Sequence, residues 1–235
     1  VLNQTSKAYK HLKQLMAYAV DRGYIVKNPC TIRRATSYKP TQPPMPNTEQ
    51  VLLMIGVAPQ PFDLIISLAG FGGLRKGEIL ELRRKDVEQT QHGMKVNISR
   101  AVTWVGSQAS VKPPKTKSSI RSVILPPNVG ERLKAHLRTV EVNPDALLFH
   151  KGLDSQVHLG EFAIDARWRQ IREAAGFKGR FHSLRSYHLT DYALNATTRE
   201  VMDRGGHSDV KTAMGYQGNT QREAELVLKL AGGRA

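Results

Sequence analysis

The segment FHSLRS, residues 181–186, places a histidine and an arginine three positions apart. On a helix, His182 and Arg185 would share one face, while Leu184 would turn towards the core. Both side chains could then donate hydrogen bonds to one phosphate group, and the planar, permanently charged guanidinium of arginine suits two oxygens at once. An exposed histidine and arginine on one helical face are more often simply solvated, so the pair is informative only together with other segments.

A second segment, GFGGLRKGEILELRRKDV, begins with a glycine pair that is expected to end a helix. A new helix starting near Leu74 would place Arg75 in its first turn. Glu78 follows one turn later, where its carboxylate could hold the Arg75 guanidinium. The alternative is an ordinary charge pair at a helix start, worth about 0.2–0.5 kcal/mol.

A third segment, VKPPKTKSSIRSVILP, places Lys115 after two prolines and before a predicted strand, at the tip of a hairpin. A lysine there could donate a proton to a leaving oxygen if nearby cations lower its pKa. Lys112, Lys117 and Arg121 flank it and are predicted to contact a phosphate backbone. Most lysines at hairpin tips are only solvated.

The fourth segment, DRGGHSDVKTAMGYQGNT, carries a histidine after a glycine pair and a tyrosine nine positions later, His207 and Tyr216. The neighbouring glycines would let a segment with a tyrosine hydroxyl move. A single tyrosine is more often structural than nucleophilic.

Composition narrows the function classes. The chain has 235 residues and a net charge of +15, which favours polyanionic partners, with nucleic acid ahead of an anionic membrane surface. Cys30 is the only cysteine, so no internal disulfide can form, and no Cys/His cluster has zinc-ligand spacing. No apolar run is long enough to span a bilayer and no signal peptide is recognised, so a cytoplasmic protein is expected.

Three regions are predicted along the chain. Residues 1–38 contain an amphipathic helix over 6–23 that is too short to bury its apolar face alone, so they are expected to be the end of a helical domain whose remainder is missing. Residues 39–47 form a proline-rich linker, and residues 48–235 form the main domain.

The main domain is predicted to be mainly α with a small three-stranded antiparallel β-sheet, an α+β fold. Strands are expected in KVNIS, AVTWV and RSVILP. Helices are expected from an N-cap at Thr48 to about residue 57, in FDLIISLAGFGG, near Leu74, at about 128–140, 160–175 and 182–194, and in shorter pieces after 197.

Basic residues concentrate in and around the predicted hairpin, where Glu131 is the only acidic residue between positions 100 and 138. The basic residues of this stretch are Arg100, Lys112, Lys115, Lys117, Arg121, Arg132, Lys134 and Arg138. Such a hairpin can follow a phosphate backbone, although a solvated polar loop is the alternative.

Taken in order, the four segments resemble the tyrosine recombinase family, also called the phage integrases. The motifs GLRKGEILEL, PKTKSS, HSLR and GGHSDVKTAMGY fall in the family's order from about Thr48 to the end. The histidine-to-tyrosine spacing is the most specific part. The stretch KHLKQLMAYAVDRGYIVKNP resembles the last helices of the DNA-clamping, core-binding domain of that family.

The resemblance implies a catalytic set of Arg75, Lys115, His182, Arg185, His207 and Tyr216. Tyr216 would be the nucleophile, giving a 3′-phosphotyrosyl enzyme and a free 5′-hydroxyl. The two arginines would neutralise the phosphate, Lys115 would protonate the leaving oxygen, and the histidines would support the phosphate and proton transfer. Glu78 would act behind the first arginine. Neither metal nor cofactor would be needed.

The resemblance also implies partners. The DNA partner would be double-stranded DNA at attachment or recombination sites. Free monomers would assemble into a homo-tetramer on this DNA and exchange strands through a Holliday junction. An accessory DNA-bending protein is compatible, membrane association is not expected, and the protein would act at the nucleoid, or in the host cytoplasm if phage-encoded. The segment Glu223–Gly233 could pack on a neighbouring subunit or on its own core.

Two other functions remain open, a type IB topoisomerase with similar chemistry and a DNA-binding regulator without catalysis; RNA has only the charge in its favour. Ser183 stands where the family more often has aspartate, and RSYH replaces the usual residues after the motif. Lys115 is preferred over its neighbouring lysines on the PKT pattern alone. Tyr187 and Tyr192 are rival tyrosines, but both would lie on the helix that carries Arg185.

Overall fold

The computed structural model describes residues 2–33, 35, 43–113, 117–206, 210 and 214–215. The chain divides into two compact units, residues 1–43 and residues 44–235. The boundaries expected at residues 38 and 47, and the domain identities attached to them, stay predictions.

The smaller unit is built on helix α1, Leu2–Asp21, which confirms the helix predicted for this region with an earlier start. The segment after the helix turns back along it. The Asn28 side chain donates to the carbonyl oxygen of Lys13 at 3.0 Å, and the backbone N–H of Ile32 donates to the Tyr9 hydroxyl at 2.8 Å. These two bonds tie the segment to the helix surface.

The larger unit is mainly helical, as predicted. Its helices are α2 (Thr48–Val57), α3 (Phe62–Gly70), α4 (Lys76–Leu80), α5 (Pro127–Leu137), α6 (Glu161–Ala174), α7 (His182–Ala193) and α8 (Thr198–Gly205). Within the described ranges, none of the helices of either unit has the length and apolar character needed to cross a membrane.

The strands of this unit form two small antiparallel sheets, which confirms the predicted fold class. They are β1 (Val87–Thr90), β2 (Gly93–Ile98), β3 (Ala101–Val105), β4 (Gln108–Lys112) and β5 (Arg121–Ile124). The three-stranded sheet has the order β1-β2-β5, while β3 and β4 pair with each other as a separate hairpin. The segment AVTWV was expected in the three-stranded sheet, but it forms β3, and residues 87–90 take the place instead.

Arg100 lies at the junction between β2 and β3, where the chain leaves the three-stranded sheet. Its guanidinium donates to the carboxylates of Glu81 and Asp86, both buried. These contacts tie the junction to the segment before β1, and the strand that follows pairs with β4.

The core forms where the apolar faces of the sheet and helices meet. Alternate residues of β2, namely Met94, Val96 and Ile98, are buried, as expected for a strand with one face on a core. Helix α3 is buried from Leu64 to its last residue, because α2, α5 and α7 pack around it. Helices α4 and α7, which begin at two of the motifs described above, both pack on α3.

Two helix starts differ from the prediction. Helix α2 is capped by Asn47 rather than Thr48: the Asn47 side chain accepts from the backbone N–H of Gln50 at 2.8 Å, and the Gln50 side chain accepts from Asn47. Arg75 is the N-cap of α4 rather than a residue of its first turn. The helix thus begins at Lys76, two residues later than expected, after a turn at Gly73 with a φ of +72°.

Candidate active site

Arg75 is held at the start of α4 by the carboxylate of Glu78. The Arg75 Nη1 donates to Glu78 Oε1 at 2.7 Å, and the Arg75 backbone N–H donates to Glu78 Oε2 at 2.8 Å. The side chain of Arg75 keeps 34% of its surface exposed, whereas Glu78 is buried. The predicted contact between the two residues is therefore present, and it leaves part of the guanidinium accessible.

Arg185 and His182 lie on the first turn of α7, where their spacing places them on one face. Arg185 is buried, and its two terminal nitrogens donate to the carbonyl oxygens of Gly73 and Gly205. His182 is the first residue of the helix and is exposed. The motif HSLR thus presents one buried cation and one accessible imidazole.

The two arginines converge on the carboxyl end of α8. The Arg75 Nη2 donates to the carbonyl oxygen of Gly205 at 3.1 Å, the same oxygen that accepts from Arg185. The last carbonyl groups of a helix have no N–H partner within the helix, and they lie at the negative end of its dipole. Cations are therefore stabilised there. Arg75 and Arg185, from segments 110 positions apart in the chain, are brought together by this helix end.

His182 lies beside these cations, whose charges disfavour protonation of its imidazole. Partial burial of the ring, followed by the positive charges of Arg185 and Arg75, lowers the pKa of His182 below its usual value, although Glu78 opposes the effect. A cavity of about 350 Å³ opens next to it, lined by Arg75, Lys76, Trp168, Arg172, His182 and Arg185, among others. An anion entering this cavity would meet several donors and an imidazole that can accept a proton.

Arg121 was predicted to contact DNA, but its guanidinium is turned inwards. Its side chain is only 5% exposed and pairs with both carboxylate oxygens of Glu78, at 2.8 and 2.9 Å. Its Nε donates to the carbonyl oxygen of Arg204 at 3.0 Å. The donors of this guanidinium therefore face buried acceptors inside the protein rather than the surface.

Glu78 consequently lies between two arginines. Burial would raise the pKa of Glu78, but the hydrogen bond and charge of Arg121 and the charge of Arg75 outweigh burial and lower the pKa to about 2. Its carboxylate is therefore charged throughout the physiological pH range.

The other predicted site residues have different outcomes. Lys112 ends β4 and is exposed, so contact with DNA by this residue stays a prediction. Lys117 begins a short 3-10 turn, Lys117–Ser119, and the position of its side chain is outside what the structure describes. Lys115, His207 and Tyr216 lie outside the described residues.

The backbone immediately before His207 is nevertheless described. Gly206 ends α8 with a φ of +57°, a left-handed conformation that glycine adopts readily, and its N–H donates to the carbonyl of Asp203. A Cβ atom at Gly206 would lie 3.1 Å from Nη1 of Arg121. The last described residue before His207 therefore lies next to the arginine cluster.

Both rival tyrosines lie on α7, as expected. Tyr187 is buried, and its hydroxyl shares a hydrogen bond of 2.9 Å with the Thr48 hydroxyl. The ring of Tyr192 stacks on His188 and contacts the Arg204 guanidinium. Both side chains have structural contacts that account for them.

The sequence analysis missed His188 and Arg204, which support the site from behind. Arg204 donates from Nε to Nε2 of His188 at 3.1 Å and from Nη1 to the carbonyl of Ile124 at 2.9 Å. Burial, together with the charges of Arg204 and Arg185, lowers the pKa of His188 to about 3, so the ring is neutral and accepts this bond. A histidine six positions after His182 falls on a different helical face, and no local pattern marks it as a partner of α8.

A second missed cluster surrounds Glu81, which is almost fully buried at 1% exposure. Its carboxylate accepts hydrogen bonds from Arg83, Arg100 and His158. The sequence shows the adjacent arginines Arg83 and Arg84 near Asp86, but it gives no signal for the partners that are distant along the chain. Among the residues that the structure describes, no group of three or more His, Cys, Asp or Glu side chains could share a metal ion.

Known proteins resemble this chain along most of its length. The sequence pattern of the phage integrase family matches residues 50–223. A prophage phiRv2 integrase of Mycobacterium tuberculosis is 34% identical over 233 residues, covering 95% of this chain and 61% of the relative. The integrase of Mycobacterium phage L5 is 29% identical and is covered to 60% of its length. The chain thus spans about six tenths of the curated relatives it matches.

Solved structures share the fold at lower sequence identity. The Tn1549 transposon integrase in complex with a circular intermediate DNA superposes with a TM-score of 0.76 at 17% identity, covering 96% of this chain and 78% of that one. A lambda integrase dimer bound to a COC′ core site gives a TM-score of 0.61 at 17% identity, covering 91% and 72% of the two chains.

Proposed function

Because the chain belongs to the phage integrase family of tyrosine recombinases, we propose that it cleaves and rejoins DNA strands at specific sites through a covalent 3′-phosphotyrosine intermediate. The relatives at 34% and 29% identity are called integrases, which supports the same class of reaction here. The excess of positive charge, +15, supports a polyanionic substrate.

One observation supports this proposal more than any other. Arg75, the N-cap of α4, and Arg185, in α7, donate to the same carbonyl oxygen of Gly205 and line the same cavity as His182. Two guanidinium groups placed side by side in this way can neutralise the charge that develops on the non-bridging oxygens of a phosphodiester during attack. The task resembles the one that metal ions perform in many phosphoryl-transfer enzymes, so we propose a reaction without metal or ATP.

In the proposed reaction, the residues of the family motif supply the nucleophile and the groups that donate and accept protons. The Tyr216 oxygen attacks the scissile phosphorus, a new O–P bond forms, and the bond from phosphorus to the 5′ oxygen breaks. Lys115 gives a proton to the departing 5′ oxygen, and neutral His182 accepts the tyrosine proton while His207 supports a phosphate oxygen. Attack by a 5′-hydroxyl of another DNA end reverses these steps and reseals the strand.

The assembly is proposed by the same analogy. A homo-tetramer on two DNA sites would exchange both strand pairs through a Holliday junction. The segment Glu223–Gly233, which could join subunits, lies outside the described residues.

Covalent trapping tests the function directly. A labelled duplex of the protein's own attachment site, nicked close to the cleavage point, is incubated with the full-length protein and with Tyr216→Phe and Tyr187→Phe variants. We expect a denaturant-resistant protein–DNA band from the wild type and from Tyr187→Phe, and none from Tyr216→Phe.

The alternatives give different results in the same experiment. A band that survives in Tyr216→Phe would reject Tyr216 as the nucleophile, and the absence of any band from the wild type would favour a DNA-binding regulator. A second incubation with two intact attachment sites tests the remaining alternative: a covalent band from the nicked duplex without joined products from the two intact sites would favour a type IB topoisomerase.

A further inference from the structure

Arg121 has contacts that the proposed reaction does not explain by itself. It begins β5, and its guanidinium donates to both oxygens of Glu78 and to the carbonyl oxygen of Arg204. A two-oxygen pair between a guanidinium and a carboxylate is geometrically specific and stronger than a single hydrogen bond. Three segments, β5, α4 and the carboxyl end of α8, are joined by this one side chain.

Glu78 connects Arg121 to Arg75, because both arginines donate to its carboxylate. Each of its oxygens accepts one bond from Arg121 and one from Arg75, so the carboxylate is held on both sides. Arg75 bonds one oxygen through its backbone N–H and the other through Nη1, and Arg121 adds a second donor to each. With Arg121 in place, the Arg75 guanidinium has one preferred direction, and its exposed part faces the cavity beside His182.

We propose that Arg121 is a positioning residue that aligns Arg75 for the scissile phosphate, acting through Glu78 and the carboxyl end of α8. The inference rests on the proposed DNA cleavage reaction and replaces the predicted contact of Arg121 with DNA. Preorganised donors lose much of their effect when their supporting contacts are removed, because the transition state tolerates little displacement.

The first test separates positioning from DNA contact. Full-length wild type, Arg121→Gln, Arg121→Lys and the control Arg199→Gln are compared for DNA affinity at several salt concentrations and for single-turnover cleavage of the nicked duplex at saturating protein. Arg199 is exposed on α8 and pairs with Asp203 at 3.1 Å, so its replacement also removes one arginine–carboxylate pair. Circular dichroism checks whether each variant is folded.

We expect Arg121→Gln to cleave about 10- to 100-fold more slowly, the usual effect of losing a supporting contact, with unchanged affinity and salt dependence. Arg121→Lys keeps the charge but not the two-oxygen geometry, and should fall between Gln and wild type. It decides the outcome if Arg121→Gln does not fold. Arg199→Gln should cleave as the wild type does.

The second measurement distinguishes positioning of Arg75 from a general loss of structure. A methylphosphonate at the scissile position carries no negative charge, so it needs less neutralisation by Arg75. The defect of Arg121→Gln should therefore be several-fold smaller on this substrate than on the phosphodiester, whereas a general structural loss would slow both equally.

Three outcomes overturn the inference alone: wild-type cleavage rates in both Arg121 variants, equal defects on the two substrates, or a loss of affinity with a reduced salt slope. Failure of the wild type itself to cleave overturns the proposed function, and this inference with it.

Discussion

The guanidinium groups of Arg75 and Arg185 donate to one atom, the carbonyl oxygen of Gly205. The shared acceptor fixes the distance between two cations that would otherwise repel each other. Because the acceptor belongs to the end of α8, the geometry of the arginine pair depends on that helix and on the glycine turn that follows it.

The contact between Gly73 and His188 should make Gly73 intolerant of a side chain. Gly73 has a φ of +72°, and a Cβ there would lie 2.3 Å from Cδ2 of His188. Gly176 is a matched control, because its φ is +63° but a Cβ there would meet nothing within 4 Å. We expect Gly176→Ala to reduce the free energy of unfolding by about 1–2 kcal/mol, from backbone strain alone.

Gly73→Ala should cost about 1–3 kcal/mol more than the control, because the clash adds to the strain. Urea denaturation followed by circular dichroism measures both values. Equal costs for the two variants would show that the His188 ring moves aside freely.

The Glu81 cluster should contribute stability that depends on pH. Burial would raise the pKa of Glu81, but hydrogen bonds from His158, Arg83 and Arg100 outweigh it and lower the pKa from 4.5 to about 2. Since the folded pKa is the lower one, the contribution is present above about pH 4.5 and is lost as the pH falls towards 2. Glu81→Gln should cost about 1.5–3 kcal/mol at pH 7, as expected for hydrogen bonds to a charged group.

The difference in unfolding free energy between wild type and Glu81→Gln, measured in urea from pH 7 to pH 3, should shrink as the pH falls. The same measurement on Glu173→Gln, which removes an exposed carboxylate, should give a small difference at every pH. A wild-type advantage that stays constant down to pH 3 would mean that the Glu81 charge does not contribute.

The ring of His182 should titrate below the usual histidine value, because partial burial and the charges of Arg185 and Arg75 disfavour its protonation. Replacing Arg75 by Gln removes one of these charges, so the pKa of His182 should rise. NMR titration of the imidazole C–H signals measures the midpoint. Arg199→Gln, which removes a charge elsewhere, should leave it unchanged, and a wild-type midpoint above the usual value would contradict the electrostatic description of the site.

Tyr187 should prove structural. Its hydroxyl bonds to Thr48 in a largely buried position, so Tyr187→Phe should lower the free energy of unfolding by about 0.5–1.5 kcal/mol. Tyr192→Phe is the comparison, because Tyr192 lies on the same helix with 36% exposure and should cost less. Thermal or urea denaturation gives the difference, and a cost for Tyr192→Phe equal to or larger than that for Tyr187→Phe would contradict the assignment.

The features that could be predicted from the sequence are those that depend on local patterns. The glycine pair before Arg75, the i,i+3 spacing of His182 and Arg185, and the apolar periodicity of the helices involve neighbours within a few positions. The family resemblance, the mainly helical fold class and the contact between Arg75 and Glu78 followed from such neighbours.

Tertiary structure alone decided which strands pair and which way the long cationic side chains point. Segment AVTWV has the composition of a sheet strand, but in the folded chain it pairs with β4 in a separate hairpin. Arg121 has the charge of a DNA contact, yet Glu78, 43 positions earlier, holds it inside. A long charged side chain can face water or a buried partner with nearly the same local sequence, and the choice depends on whether packing of the whole chain places an opposite charge within reach.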